Sequence, residues 1–400
     1  MEAPSIGQRW RSTTLPYLVL EGIGQGAEFV GWVLLARRLG AHSFGLLTVA
    51  VLVCRYGGLI ADWGASIRGV RDVADGRHPA AVRALNRRRT RAASVLAVAY
   101  LVGAAAAGQP RLMPLVVMLL CIGLNRDWIA LGREKGARSG FPAFVQGLVM
   151  MGAAFVSSAS QPALAPTLAY AVGLGLSILL NRLPPVAPGG ETFIDGWMLM
   201  AVLANQVLSS ADTFLIAVFL STSSAGIYAA VYRIPNGWLA LLVIIRGGLL
   251  PLATTIRRDH PEQFAGLRRS SLRWSARGAI GLVVLIPVFY MAIPIVFGHQ
   301  YDSGRWPAVV LLGSTAVATA GAPLHHLYLA FGDDRPYAWY LFGAAGLNVA
   351  LNVVLIPLFG LMGAASATLA ANCLLVAMLS WAVARGTSGL AGTPAANRLA

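Results

Sequence analysis

Three charged side chains interrupt the otherwise apolar stretch 197–251: Asp212, Arg233 and Arg246. The stretch reads as two long apolar segments joined by the polar turn Ser221–Ser224. An ionisable group in hydrocarbon costs about 2.5–3.5 kcal/mol on insertion scales, so it marks a functional site by default. Asp212 lies about ten residues before the turn and Arg233 about ten after it. At ~1.5 Å of rise per residue both sit roughly 15 Å from the turn, where a helical hairpin can bring them together. The first half of the chain echoes this arrangement, with Glu28 before the Arg37–Ser43 turn and Arg55 after it. Two acid–arginine pairs are therefore expected, one per half. The competing reading is a neutralised pair with a structural role alone, because intramembrane charges pair with something.

Glu21 and Glu28 are seven residues apart and share a helix face. They either bind a coupling cation, proton or sodium, or pair with arginines, and the residues alone leave both open. Gln25, Asn125, Asn205, Gln206, Asn348 and Asn352 are uncharged polar residues inside apolar runs. Asn348 and Asn352 stand at i,i+4 and so share a face. Either they line a polar path or they bond neighbouring helices. No metal site is expected. His325 and His326 are adjacent and point to different faces, and Cys54, Cys121 and Cys373 lie in three separate apolar runs.

Spanning helices must position these groups. The chain has 400 residues, 57% hydrophobic and 12% charged, with mean hydropathy +0.67. Soluble globular domains do not have this composition. Apolar runs long enough to cross a bilayer recur along it. Twelve spans are predicted, at about 15–36, 43–64, 92–109, 112–131, 141–159, 163–181, 196–220, 225–250, 278–298, 307–331, 337–357 and 361–384. With the N-terminus in the cytoplasm, twenty-three of the thirty-one Lys and Arg fall on inner segments and four on outer ones. This asymmetry is the positive-inside signature, and it puts both termini in the cytoplasm. The basic residues are spread over many short loops, which argues against a nucleic-acid partner.

The two longest inner loops, 65–91 and 251–277, follow the second and the eighth span. Trp128–Arg133 resembles Tyr328–Asp333, two hundred residues on. The expected architecture is an all-α polytopic membrane protein of about twelve transmembrane helices. They form two six-helix bundles related by a parallel pseudo-two-fold repeat, with substrate sites between the halves. The boundaries read as 1–182 for the N-terminal bundle, 183–195 for a cytoplasmic linker, 196–385 for the C-terminal bundle and 386–400 for a disordered cytoplasmic tail.

Four stretches carry a family resemblance. One is Ala36-Arg37-Arg38-Leu39-Gly40 through Phe44-Gly45-Leu46, followed by Ala61–Ser66 and Arg71–Ala74; another is Asp127–Gly132. The third runs from Ala211-Asp212-Thr213-Phe214-Leu215 through Gly226–Ile234 to Pro251, and the fourth from Leu347-Asn348 through Asn352 and Pro357 to Ala365. In order and spacing they resemble the Wzx-type polysaccharide and O-antigen flippases of the multidrug/oligosaccharidyl-lipid/polysaccharide (MOP) exporter superfamily. The resemblance implies a twelve-helix, two-bundle inner-membrane protein with a central cavity opening alternately to each side. It implies a polyprenyl-diphosphate-linked glycan as cargo, with membrane lipids and other polysaccharide-assembly membrane proteins as further partners.

For such a cargo arginine is the fitting side chain, always protonated and able to grip phosphate oxygens with two donors. Arg55, Arg233 and Arg246 are the candidates. Arg246, near the inner surface, either captures the head group or snorkels to the interface. Asn205, Gln206, Asn348 and Asn352 are candidates for the glycan path, and Glu21, Glu28 and Asp212 for charge pairing or ion coupling.

No G-x-x-x-x-G-K-[ST] motif is present, which argues against ATP hydrolysis. Outer loops of roughly eight residues leave little room for a glycosyltransferase, polymerase or ligase centre. An ion-coupled multidrug exporter of the same superfamily is the main alternative. A cavity for cationic drugs favours carboxylates and aromatics, whereas here the acids are matched by arginines within the spans.

Overall fold

The structure is a computed structural model that describes residues 15–62, 70, 73, 79–183, 196–246, 249–331 and 334–391. Every described element is helical. The chain divides into two compact units, Met1–Leu199 and Met200–Ala400. The linker expected at 183–195 lies almost wholly outside the described residues.

In the first unit, α1 (Leu15–Asp62) is broken once, at Gly40 (φ 74°, ψ 166°). This backbone conformation belongs to glycine. Trp32 and Phe44 show that the chain folds back there. Their rings meet edge-to-face at 6.4 Å, whereas twelve residues of straight helix would separate them by about 18 Å. The two legs are thus a hairpin. Then come α2 (Pro79–Ala106), a 3-10 turn (Pro110–Leu115), α3 (Val116–Leu124), α4 (Asp127–Gly132), α5 (Gly136–Ala154) and α6 (Leu164–Leu180). The fourth predicted span is therefore not one helix, since α3 stops at Leu124 and α4 restarts at Asp127. The first leg of α1 crosses α5 so closely that a Cβ on Gly147 would strike the carbonyl of Gly24.

The second unit holds α7 (Gly196–Phe219), α8 (Thr222–Arg246), α9 (Leu249–Asp259), α10 (Phe264–Val284), α11 (Ile286–Phe297), α12 (Arg305–Leu329) and α13 (Asp334–Ala391). Helix α13 breaks at Gly360 (φ 58°, ψ −135°). Here too the legs fold back, because Asn348 reaches Thr368, twenty residues on, at 3.4 Å. Helices α10 and α11 bend by 54° and share the ninth predicted span. The basic loop expected at 251–277 is mostly helix, formed by α9 and the first turns of α10. Ala279, Leu282, Leu312 and Ala316 form a core between α10 and α12. The tail expected to be disordered from 386 is helical as far as Ala391. Gly386 lies against the Phe331 ring, and the Thr387 hydroxyl donates to the Val383 carbonyl at 2.6 Å.

Outward faces are apolar where a water-facing helix would be polar. On α2, Val95, Val98 and Val102 are all exposed. Among the described residues five helical segments are long and apolar enough to cross a membrane, six if the bent pair α10–α11 is one span. Two of the five are the folded-back α1 and α13.

Candidate functional site

Among the described residues, three clusters of buried or half-buried polar groups include charged side chains that bear on the site, two in the first unit and one in the second. In the second unit the centre is Asp212 on α7, fully buried. Its carboxylate accepts from the Tyr228 hydroxyl on α8 (2.7 Å), the Thr213 backbone N–H (2.7 Å) and the Thr368 hydroxyl on the second leg of α13 (3.2 Å). Arg233 is not among its partners, so the expected pair is not formed. Asp212 instead stands level with Tyr228, and Arg233 lies five residues, about 7.5 Å of rise, further along α8. Tyr228 and Arg233 also point roughly 140° apart around α8. The tyrosine takes the inward direction.

From Thr368 the bonding continues along α13. Asn348 Nδ2 donates to the Thr368 hydroxyl, and Asn352 Nδ2 donates to Asn348 Oδ1 at 3.0 Å. Both asparagines are buried, and Asn352 Oδ1 has no donor among the described residues. The i,i+4 spacing thus builds a polar string, Asn352–Asn348–Thr368–Asp212–Tyr228, that shares one carboxylate. An unpaired charge here would be costly, so the string of donors is what allows an acid at this position. Gln206, one turn and a half before Asp212, is buried and donates to Ser210 Oγ at 2.8 Å. Asn205 is exposed, Arg233 is half-buried, and Arg246 ends α8 with its side chain outside the described residues.

The first unit holds a matching acid on α1. Glu28 is half-buried and accepts from Trp32 Nε1 (3.1 Å), Gln146 Nε2 on α5 (3.5 Å) and the Tyr170 hydroxyl on α6 (3.3 Å). Arg55 is not among its partners, which corrects the second expected pair. Helix α5 packs on the first leg, and Tyr170 reaches it from α6, so these two helices supply the donors. Arg55 is exposed on the second leg, with no ion pair or hydrogen bond among the described residues. Glu21 is bonded one turn away to Gln25 at 3.1 Å.

The third cluster closes the gap between α3 and α4. Arg89 on α2 is 1% exposed and pairs with Asp62, the last residue of α1, at 2.6 Å. Its guanidinium also donates to the Asn125 carbonyl (2.9 Å) and Asn125 Oδ1 (3.2 Å), and lies 5.8 Å over the Trp128 ring. The Arg126 N–H donates to Ser177 Oγ (2.7 Å), and the Asp127 carbonyl accepts from Ser139 Oγ (3.0 Å). Backbone groups orphaned by the break thus find partners on α2, α5 and α6. Charge counting assigns Arg89 to a loop, so sequence reasoning missed this role. The hints in the sequence are two acid–Trp motifs, Asp62-Trp63 and Asp127-Trp128. In the second unit Arg257 on α9 does similar work. It donates to the Ala330 carbonyl and lies 5.3 Å over Phe331.

No protein-family model matches the sequence, and no curated protein does. Solved structures do match. An inward-facing multidrug resistance MATE family transporter of the MOP superfamily is 10% identical, covering 96% of this chain and 100% of its own, with TM-score 0.70. The MATE multidrug transporter DinF-BH, solved as a complex with a small molecule, is 15% identical over 95% of this chain and 96% of its own, with TM-score 0.63. A MOP superfamily transporter from Pyrococcus furiosus has a binding pocket whose reverse polarity is described as suggesting a different function. It is 13% identical over 98% of this chain and 100% of its own, with TM-score 0.62. The likeness is one of fold. Over nearly its whole length the fold of this chain is that of the MATE transporters of the MOP superfamily.

Proposed function

We propose that the protein is a flippase, moving a polyprenyl-diphosphate-linked oligosaccharide from the cytoplasmic to the outer leaflet by alternating access, for cell-surface polysaccharide biosynthesis. The observation that supports this reading is Arg55. It stands in an apolar leg of α1, exposed and without an ion pair among the described residues. A cation left open at such a position suits an anionic diphosphate and repels a cationic drug. The Pyrococcus furiosus neighbour, whose reverse pocket polarity is described as suggesting a different function, is consistent with a cargo other than a drug. The sequence stretches resembling Wzx-type flippases point the same way.

In this reading Glu28 and Asp212, with Glu21 beside the first, are the sites where a proton or sodium gradient acts. Twelve spans in two parallel repeats, with both termini in the cytoplasm, complete the proposal. Multidrug export is the second reading. Its support is that Glu28 and Asp212 are held by neutral donors and not by arginines.

The test is the pool of polyprenyl-linked saccharides in cells with and without the protein. Accumulation of the complete lipid-linked saccharide, with surface glycan lost, is expected. Unchanged glycan with retention of toxic cations would instead establish drug export. Accumulation of unextended lipid intermediates would indicate an enzyme.

A further inference from the structure

Helix α10 carries Arg269, Arg273 and Arg277 at i, i+4 and i+8, all exposed. Eight residues of helix make this a ladder about 12 Å tall on one face. The same face continues into Ile280 (64% exposed) and Val284 (69% exposed), then, past the bend, into the exposed Val288, Met291 and Ile295 of α11. The apolar part, from Ile280 to Phe297, follows a path of about 27 Å, which the 54° bend shortens to roughly 23 Å end to end, most of the ~30 Å of a bilayer's hydrocarbon. Arg277 therefore stands at the hydrocarbon edge, and Arg273 and Arg269 stand in the headgroup layer. All three are on the exposed face of α10.

Among the described residues, neighbouring acids do not neutralise the ladder. Asp259 is held by Arg258 at 2.8 Å, which keeps its carboxyl below the usual carboxylate range. Glu262 lies 3.5 Å from His260. Arg269 bonds weakly to a backbone carbonyl, and Arg273 has no ion pair among the described residues. Like charges at i,i+4 repel one another, so the ladder needs an anion. Trp274, 67% exposed, lies beside it with the Arg277 guanidinium 4.8 Å over its ring. An exposed indole at this level is an interface anchor. The first unit repeats the arrangement, with Arg87 and Arg91 of α2 leading into the exposed Val95, Val98 and Val102.

We infer that the outer face of α10 at Arg269, Arg273, Arg277 and Trp274 is a binding site for the headgroup of an anionic phospholipid in the arginine-rich leaflet. The phosphodiester bridges successive guanidinium groups, and the acyl chains lie along Ile280 and Val284. The site uses none of the acids on α1 and α7, and it does not depend on the identity of the cargo.

The experiment is native mass spectrometry of the purified full chain, titrated with phosphatidylglycerol or with phosphatidylcholine. Wild type is expected to retain phosphatidylglycerol in preference. Each arginine near a membrane surface contributes about a fivefold change in binding. The R269Q/R273Q/R277Q variant should therefore lose the preference by well over tenfold, and R273Q alone by about fivefold. R133Q/R138Q/R182Q removes equal charge from exposed inner-side positions and should bind as wild type does. Glycerol phosphate in excess should not displace the lipid. Undiminished preference in R273Q and the triple variant, equal loss in the charge control, or displacement by glycerol phosphate would each overturn the assignment.

Discussion

Tyr228 and Asp212 share a 2.7 Å hydrogen bond across the turn between α7 and α8, with both side chains fully buried. Removing the hydroxyl leaves a buried carboxylate one strong donor short. Tyr228→Phe should therefore cost about 1–3 kcal/mol, read as a lower midpoint of thermal unfolding. An unchanged midpoint would show that Thr213 and Thr368 suffice.

Asp212→Asn keeps an acceptor for Tyr228 but removes the ionisable group. The variant should reach the membrane in normal amount, bind cargo, and lose transport driven by an ion gradient. Flux in reconstituted vesicles, with and without an imposed gradient, decides the matter. Full gradient-driven flux would remove Asp212 from the coupling scheme and leave Glu28 and Glu21.

Arg89 holds the end of α1 to the break between α3 and α4. Arg89→Ala removes the ion pair to Asp62 and the donor to the Asn125 carbonyl, with an expected loss of about 3–5 kcal/mol. Replacing both Asp62 and Arg89 with apolar residues of similar volume should recover part of that loss, because no buried charge then lacks its partner. Unfolding of the single and double variants in detergent measures the difference.

For Arg55 the expectation runs the other way. It is exposed and lacks an ion pair among the described residues, so Arg55→Ala should change stability by no more than about 0.5 kcal/mol. Transport of the lipid-linked saccharide should nevertheless fall at least ~10-fold, the worth of a lost charge-assisted contact of about 1.5–3 kcal/mol. Arg55→Lys should retain part of it, since a lysine keeps the charge and loses the fork. Normal flux in Arg55→Ala would refute the role given to this residue.

Gly360 sits at φ 58°, ψ −135°, where an L side chain is strained. Gly360→Ala should cost on the order of 1–3 kcal/mol. Gly346, on the first leg of the same helix, has open space where a Cβ would go, so Gly346→Ala should be neutral or slightly stabilising. Comparing the two midpoints separates backbone strain from loss of a glycine as such.

Hydropathy reads depth well. The apolar runs anticipated along the chain fall on helices, and the polar turn at Ser221–Ser224 falls where α7 passes into α8. Azimuth is harder to read. Counting residues from the turn matches Asp212 with Arg233, but the partner it takes is Tyr228, and neither the register nor the rotation that brings Tyr228 and Thr368 to it is written in the local sequence. The same limit applies to Glu28, whose partners Gln146 and Tyr170 lie more than a hundred residues away. Arg89 was concealed by its neighbours, since in a run of arginines nothing local singles out the one that turns inward. The break at Asn125 was also hidden, because Leu124 and Trp128 continue the apolar pattern across it. The asparagine pair on α13 was legible as a shared face, because i,i+4 spacing fixes that without tertiary information.

Reversal within a single residue at Gly40 and at Gly360 has a consequence for how the chain is made and handled. At neither reversal is there slack backbone to thread into a protease cleft or to accept an inserted tag, so limited digestion and epitope mapping should both pass over these points. During synthesis, each pair of legs would reach its packed arrangement as one folding step, with the second leg ready to cover the first as soon as it emerges.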